Sequence, residues 1–268
     1  MGHPRTWRHV GSAVRTIPQI GAILLVAILV GCGAPGKGPV VIFLDGAGWY
    51  SSGGSIEGGL RDAGFKGQVQ VFSWSTFLGP ATDHFLAANS KIVAGRLANK
   101  IARWREANPS DSINLMGLSA GNAVILSALE ELKGTDEVDN VVLLSPTVSG
   151  ERSLTKIMSH VRRNLYATCS PHDGIVNSLT MNADGRSGPP AGRIGFKLPV
   201  HPTEGTRAAY SRIINLHWQP SYVGFDWTGS HTSVTSRRFI ASVIAPRILT
   251  GEPYPLDRPI IQVAEAGQ

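Results

Sequence analysis

Short unbroken apolar runs trade places with stretches of helical spacing along this chain. Val40-Val41-Ile42-Phe43-Leu44 is uninterrupted and stops at Asp45-Gly46. A strand with one wet face would alternate, so this run predicts a strand buried on both faces of a parallel sheet. A short helix over Ile56 to Ala63 and a second strand over Gln68 to Trp74 follow. Phe85, Ile92, Val93, Leu97, Ile101 and Trp104 recur at near-helical spacing. That predicts one long helix over Ala81 to Ala107, stopped by Asn108-Pro109.

The same reading continues to the end. Strands are predicted at Ser112 to Met116, Val138 to Leu144, Asn164 to Cys169 and Ser211 to Trp218. Helices are predicted at Asn122 to Leu132, Ser153 to Arg163, Ile175 to Met181 and Thr232 to Leu249. Residues 182–206, rich in Gly, Pro and Arg, receive no element. Pro253, Pro255 and Pro259 mark a non-helical tail over 251–268. This alternation predicts an α/β class fold: a doubly wound, mostly parallel sheet with helices on both faces. Ligands on such sheets bind beyond the carboxyl ends of the strands, so the residues just after each strand carry the chemistry.

Composition narrows the class. The 268 residues are 42% hydrophobic and 16% charged, with 31 glycines. One sizeable core fits, and neither a coiled coil nor a disordered chain does. The net charge is +6, but Arg5, Arg8 and Arg15 lie before the apolar run Ile20 to Val30. Without residues 1–31, which hold no acidic residue, half of the +6 surplus is gone. That balance points away from nucleic acid.

Residues 1–31 read as an export signal: a basic start, an uncharged core over Ile17 to Gly31, then small residues. The core is shorter than the roughly 20 residues a membrane span needs. Leu29-Val30-Gly31-Cys32 resembles the lipobox of bacterial lipoprotein signals. The resemblance implies acyl chains on Cys32, and more than one chain is what stable anchoring takes. An ordinary signal peptide with an incidental Cys32 is the alternative. The domain scheme is then a signal over 1–31, a flexible tether over 32–38, a catalytic-type domain over 39–250 and the tail over 251–268. The implied location is the cell envelope, outside the cytoplasm, with a membrane partner through Cys32. Cys169 is the only other cysteine, and it reads as a buried small thiol in a strand rather than a nucleophile.

The chemistry centres on Gly117-Leu118-Ser119-Ala120-Gly121, between an apolar strand and an apolar helix. G-x-S-x-G in that context is a nucleophile elbow: a sharp turn puts the Ser119 hydroxyl at a helix head, where free N–H groups favour negative charge. Glycines on either side avoid a clash. From these residues the chain resembles the α/β-hydrolase superfamily over nearly all of 39–250. The resemblance implies a nucleophile, acid, histidine order. Asp173, in Pro171-His172-Asp173-Gly174-Ile175-Val176, directly follows a predicted strand and is the implied acid. Asp184, Glu204 and Asp226 are less well placed. His231 follows the last strand and is the implied base, ahead of His217, His172 and His201. The resemblance also implies an oxyanion hole from the N–H groups of Ala120 and Ala47. Asp45 departs from the family, which often has His there.

Two other chemistries are weaker. Gly46-Ala47-Gly48 could start a dinucleotide fingerprint, but Ser51 stands where its third glycine belongs. Asp45, Asp83-His84 and His172-Asp173 could supply a metal-dependent phosphatase-type site, which would leave the elbow unexplained. A non-catalytic hydrolase-fold surface protein is the alternative of another class. The expectation is therefore a serine hydrolase of carboxylic esters acting on a small-molecule acyl substrate, with no cofactor, no metal and no protein partner called for. Ser145 to Arg163 has room for one short helix, so no large cap domain is expected. Trp49, Trp74 and Phe77 follow the first two strands and are expected to line an apolar pocket.

Overall fold

The structure, a computed structural model, describes residues 2, 36–48, 51–76, 79–87, 91–250, 257–258 and 260–261, without the side chains of 85 and 86. The export signal, Cys32, Trp49, Phe77 and most of the tail lie outside the described residues.

Six strands form one sheet: β1 (Val40–Leu44), β2 (Gln68–Val71), β3 (Ile113–Leu118), β4 (Asn140–Leu144), β5 (Leu165–Cys169) and β6 (Ile213–His217). Their order is β2-β1-β3-β4-β5-β6, and every neighbouring pair is parallel. The chain moves outward from β1 to β2, crosses back over β1 to β3, then moves outward the other way. The carboxyl ends of β1 and β3 therefore flank the switch point, where doubly wound sheets hold their ligands.

The unbroken apolar strands have the reason the sequence suggested. Val40, Ile42 and Leu44 pack on one face with Leu97, Ile101 and Trp104 of α3 (Lys91–Ala107), and with α4 (Gly121–Glu131). Val41 and Phe43 pack on the other face with Ile56 and Leu60 of α1 (Gly53–Asp62), and with Phe239 and Val243. Both faces of the sheet are covered, so no strand of the centre has a wet side.

Several predicted elements need correction. The single long helix is two, α2 (Pro80–Ala87) and α3. Residues 88–90, between them, lie outside the described residues. The second strand ends at Val71, short of Trp74. The expected helix Ser153 to Arg163 is the single turn α5 (Thr155–Met158), whose Ile157 and Met158 are buried in the core. Ile175 to Met181 shrinks to α6 (Gly174–Ser178). The stretch 182–206 holds α7 (Ala191–Ile194) and the start of α8 (Glu204–Tyr210), which Thr203 caps by accepting from the Thr206 N–H. The closing helix does not start at Thr232. A 3-10 turn, Ser233–Thr235, comes first, and Ser236 then caps a helical stretch over 237–249. Within it Ile240–Ile244 is a π turn just before Pro246, whose missing N–H and bulky ring cannot fit a regular turn. In the tail, the Ile260 N–H donates to Ile213 O at 2.9 Å, which ties this segment to β6.

Candidate active site

Ser119 is the residue between β3 and α4. Its φ is 56°, in the left-handed region that costs a side-chain-bearing residue on the order of 1–3 kcal/mol. The surroundings hold it there. The Ser119 N–H donates to Leu144 O at 3.0 Å, and Asn122 Nδ2 donates to the same carbonyl at 2.9 Å. A Cβ on Gly117 would stand 2.5 Å from Asn122 Oδ1, and one on Gly121 would stand 2.5 Å from Asp45 O. The second contact is with backbone, which cannot swing away. Glycine at these positions is thus a packing requirement of the turn.

Asp173 follows β5 and is the N-cap of α6. Its Oδ1 accepts from the Val176 N–H at 3.0 Å, and its Oδ2 faces His231 Nδ1 at 2.8 Å. Asp173 is fully buried and His231 is 4% exposed. An ionised carboxylate only accepts, so the imidazole proton sits on Nδ1 and Nε2 keeps its lone pair. The loop carrying His231 is pinned to the loop carrying Asp173. Gly229, at φ +89°, approaches so closely that a Cβ would lie 2.9 Å from Ser170 Oγ and 3.1 Å from His172 Cβ. Beside it, Trp227 is fully buried against Tyr222 and Phe239, and its carbonyl accepts from Trp218 Nε1. On the other side the Ser230 and Ser233 hydroxyls bond each other at 2.9 Å.

The loop after β1 completes the surroundings of Ser119. Asp45 accepts from the Gly46 N–H at 2.9 Å and from the Ser52 N–H at 2.7 Å, so both its oxygens close this loop. Its position, where the resemblance expects His, is that of a loop clamp. Asp83 of α2 accepts from the Gly48 N–H at 3.1 Å and also from Ser75 and Thr76. Burial pushes the Asp83 carboxyl up, but these hydrogen bonds outweigh it and hold the group below its ordinary range. Ala47, between the two clamped glycines, faces the same cleft as Ser119, and Ala120 is the N-cap of α4. Among the described residues no three His, Cys, Asp or Glu side chains group as metal ligands would.

Ser119 and His231 line one cleft of about 390 Å³. Pro80, Ala81 and His84 of α2 form one wall. Ile175 and the stretch from Ser178 to Met181 form the other. His84 Nε2 donates to Met181 O at 2.9 Å, joining the two walls. Trp74 is not part of this lining. It is 8% exposed, packs in the core and donates from Nε1 to Asp45 O at 2.8 Å. An aromatic residue just past a strand can turn either way, and here the indole N–H finds its acceptor inward. The wall residues were missed because nothing local in the sequence marks them: His84 and Met181 are 97 residues apart. Cys169, at the end of β5, is 1% exposed, and its Sγ lies 3.3 Å from His217 Nδ1. Burial pushes its thiol up to about 12, so it is no nucleophile.

Residues 38–184 match the model of a family described as "Alpha/beta hydrolase of unknown function (DUF900)". No curated protein matches the chain. Among solved structures, the chain is similar to LpqC, a poly(3-hydroxybutyrate) depolymerase from Bordetella parapertussis, at 12% identity and a TM-score of 0.49, covering 84% of this chain and 83% of that one. It is also similar to a cutinase-like protein from Cryptococcus sp., at 14% identity and a TM-score of 0.42, covering 78% of this chain and 91% of that one.

Proposed function

Because the chain belongs to this alpha/beta hydrolase family, we propose that it is a serine hydrolase of carboxylic esters that works through Ser119, His231 and Asp173. The observation that carries the reading is the buried 2.8 Å contact between His231 Nδ1 and Asp173 Oδ2, in a residue that shares its cleft with Ser119.

In this reading His231 Nε2 takes the Ser119 proton as Oγ attacks the substrate carbonyl. Asp173 holds the imidazole tautomer and stabilises the imidazolium that forms. The N–H groups of Ala47 and Ala120 receive the oxyanion, each contributing about 2.7–4 kcal/mol to lowering the barrier. The C–O bond then breaks, the leaving alcohol takes the proton from His231, and an acyl-Ser119 ester remains. Water repeats the sequence: His231 takes its proton, its oxygen attacks the acyl carbon, and Ser119 is released with the carboxylic acid. The scheme requires no cofactor or metal.

The chain is further proposed to act at the cell envelope outside the cytoplasm, held by lipid on Cys32. Its remaining partner is the acyl substrate. The sequence pattern at Leu29-Val30-Gly31-Cys32 supports this. Among the described residues no helix is long and apolar enough to cross a membrane. The test is labelling of the full chain by a fluorophosphonate probe beside Ser119→Ala. Labelling of the wild type alone is expected; equal labelling of both, or of neither, overturns the proposal.

A further inference from the structure

A hydrogen bond joins the two walls of the cleft. On one side stands α2, which Asp83 fixes to Gly48, Ser75 and Thr76. On the other runs the strap from Leu179 to Met181. Its two ends are anchored: α6 is capped by Asp173, and the Ala183 N–H donates to Thr147 O at 2.7 Å. Between those anchors, the bond from His84 Nε2 to Met181 O holds the strap across the cleft. Ala47, Pro80, Ala81, Ile175 and Leu179 make the lining mainly apolar. Ile175 and Met181 are also 43% and 52% exposed, so the apolar character continues to the mouth.

We propose that His84 and the strap it holds set the size of the apolar acyl group that reaches Ser119, which makes His84 a specificity-determining residue. The proposal rests on the serine-esterase reading. A cavity of about 150 Å³ admits one benzene, so a cleft of about 390 Å³ has room for an acyl chain well beyond six carbons. The substrate class is thus medium-chain acyl esters. Longer chains are expected to reach Ser119 poorly while the bond between His84 and Met181 holds the strap. The donor on His84 acts on a backbone carbonyl, so the identity of residue 181 matters less than the presence of a donor at 84.

The experiment measures kcat/KM of the full chain on 4-nitrophenyl esters of butanoate, octanoate, dodecanoate and hexadecanoate. Three forms are compared: wild type, His84→Leu, which keeps bulk without a donor, and His84→Gln, which keeps a donor. The wild type is expected to fall steeply beyond dodecanoate. In His84→Leu the hexadecanoate-to-octanoate ratio is expected to rise about tenfold, and in His84→Gln to stay near wild type. An unchanged ratio in His84→Leu overturns the proposal, as does an equal rise in both variants. Fluorophosphonate labelling of Ser119 is run on the same samples. Labelling with an unmoved ratio sinks this inference alone, whereas absence of labelling in the wild type sinks the reading beneath it.

Discussion

His231 Nδ1 lies 2.8 Å from Asp173 Oδ2, and the other oxygen of the same carboxylate caps α6 through the Val176 N–H. One side chain thus fixes both an imidazole tautomer and a helix start. Asp173→Asn separates the two duties. The amide oxygen can still take the Val176 N–H, while its NH₂ group faces Nδ1 and forces the proton onto Nε2. That tautomer cannot accept from Ser119. The variant is expected to keep its melting temperature within a few degrees and lose kcat by a factor on the order of 10⁴. A kcat within tenfold of wild type would remove Asp173 from the proposed machinery.

Gly121 and Gly95 make a matched pair. A Cβ on Gly121 would stand 2.5 Å from Asp45 O and 2.8 Å from Leu44 O, both backbone atoms. Gly121→Ala must push β1 away from the head of α4, so a loss of about 1–3 kcal/mol is expected, with slower fluorophosphonate labelling. Gly95 lies inside α3 with nothing within 4 Å of its missing Cβ. Gly95→Ala relieves backbone entropy in a helix and is expected to add about 0.5–1 kcal/mol. Urea midpoints of both variants check the opposite signs.

The strands were legible because both sheet faces are covered, which writes each central strand as a plain apolar run such as Val40 to Leu44. Breaks inside helical stretches were not. Pro246 was compatible with a helix that only the π turn before it accommodates. At the site, the elbow around Ser119 is local in sequence and could be read directly. Asp173 and His231 are 58 residues apart, and they were singled out through family order, not through any spacing. The clamp role of Asp45 was not readable, because its partners are the backbone amides of Gly46 and Ser52. Trp74 was misassigned to the pocket for the same reason: its acceptor is a backbone carbonyl.

Two buried acids predict alkaline lability. Burial pushes the Cys169 thiol from 9.0 up to about 12. Burial, then the Asp257 charge, push the Tyr166 hydroxyl from 10.0 up to about 12, against the Asn164 hydrogen bond and Arg247. In the unfolded chain each ionises near its ordinary value; in the fold each keeps its proton. The folded state therefore holds more protons above pH 9, and stability falls as pH rises from there towards 12. Urea midpoints between pH 8 and 11.5 should decline, and Cys169→Ala should delay the onset by removing the group that titrates first. A Cys169→Ala curve parallel to wild type would contradict this.

Thr147 is 1% exposed, and its Oγ1 has no hydrogen-bond partner among the described residues. Its backbone cannot turn to find one. The carbonyls of Pro146, Thr147 and Val148 accept in succession from the N–H groups of Gly192, Ala183 and Ala191, each at 2.7 Å. A β-branched side chain on so fixed a backbone has little rotamer freedom. A buried hydroxyl without a partner costs about 1–3 kcal/mol in proteins, and Val has the same shape without it. Thr147→Val is therefore expected to stabilise the fold by about 1 kcal/mol, read as a higher urea midpoint with an unchanged slope. Thr147 stands beside Ser119 in the cleft lining, so the labelling rate of Ser119 is measured with it. An unchanged rate with higher stability is expected. A lower midpoint in Thr147→Val would mean that the hydroxyl is bonded in solution, and that its partner lies outside the described protein groups.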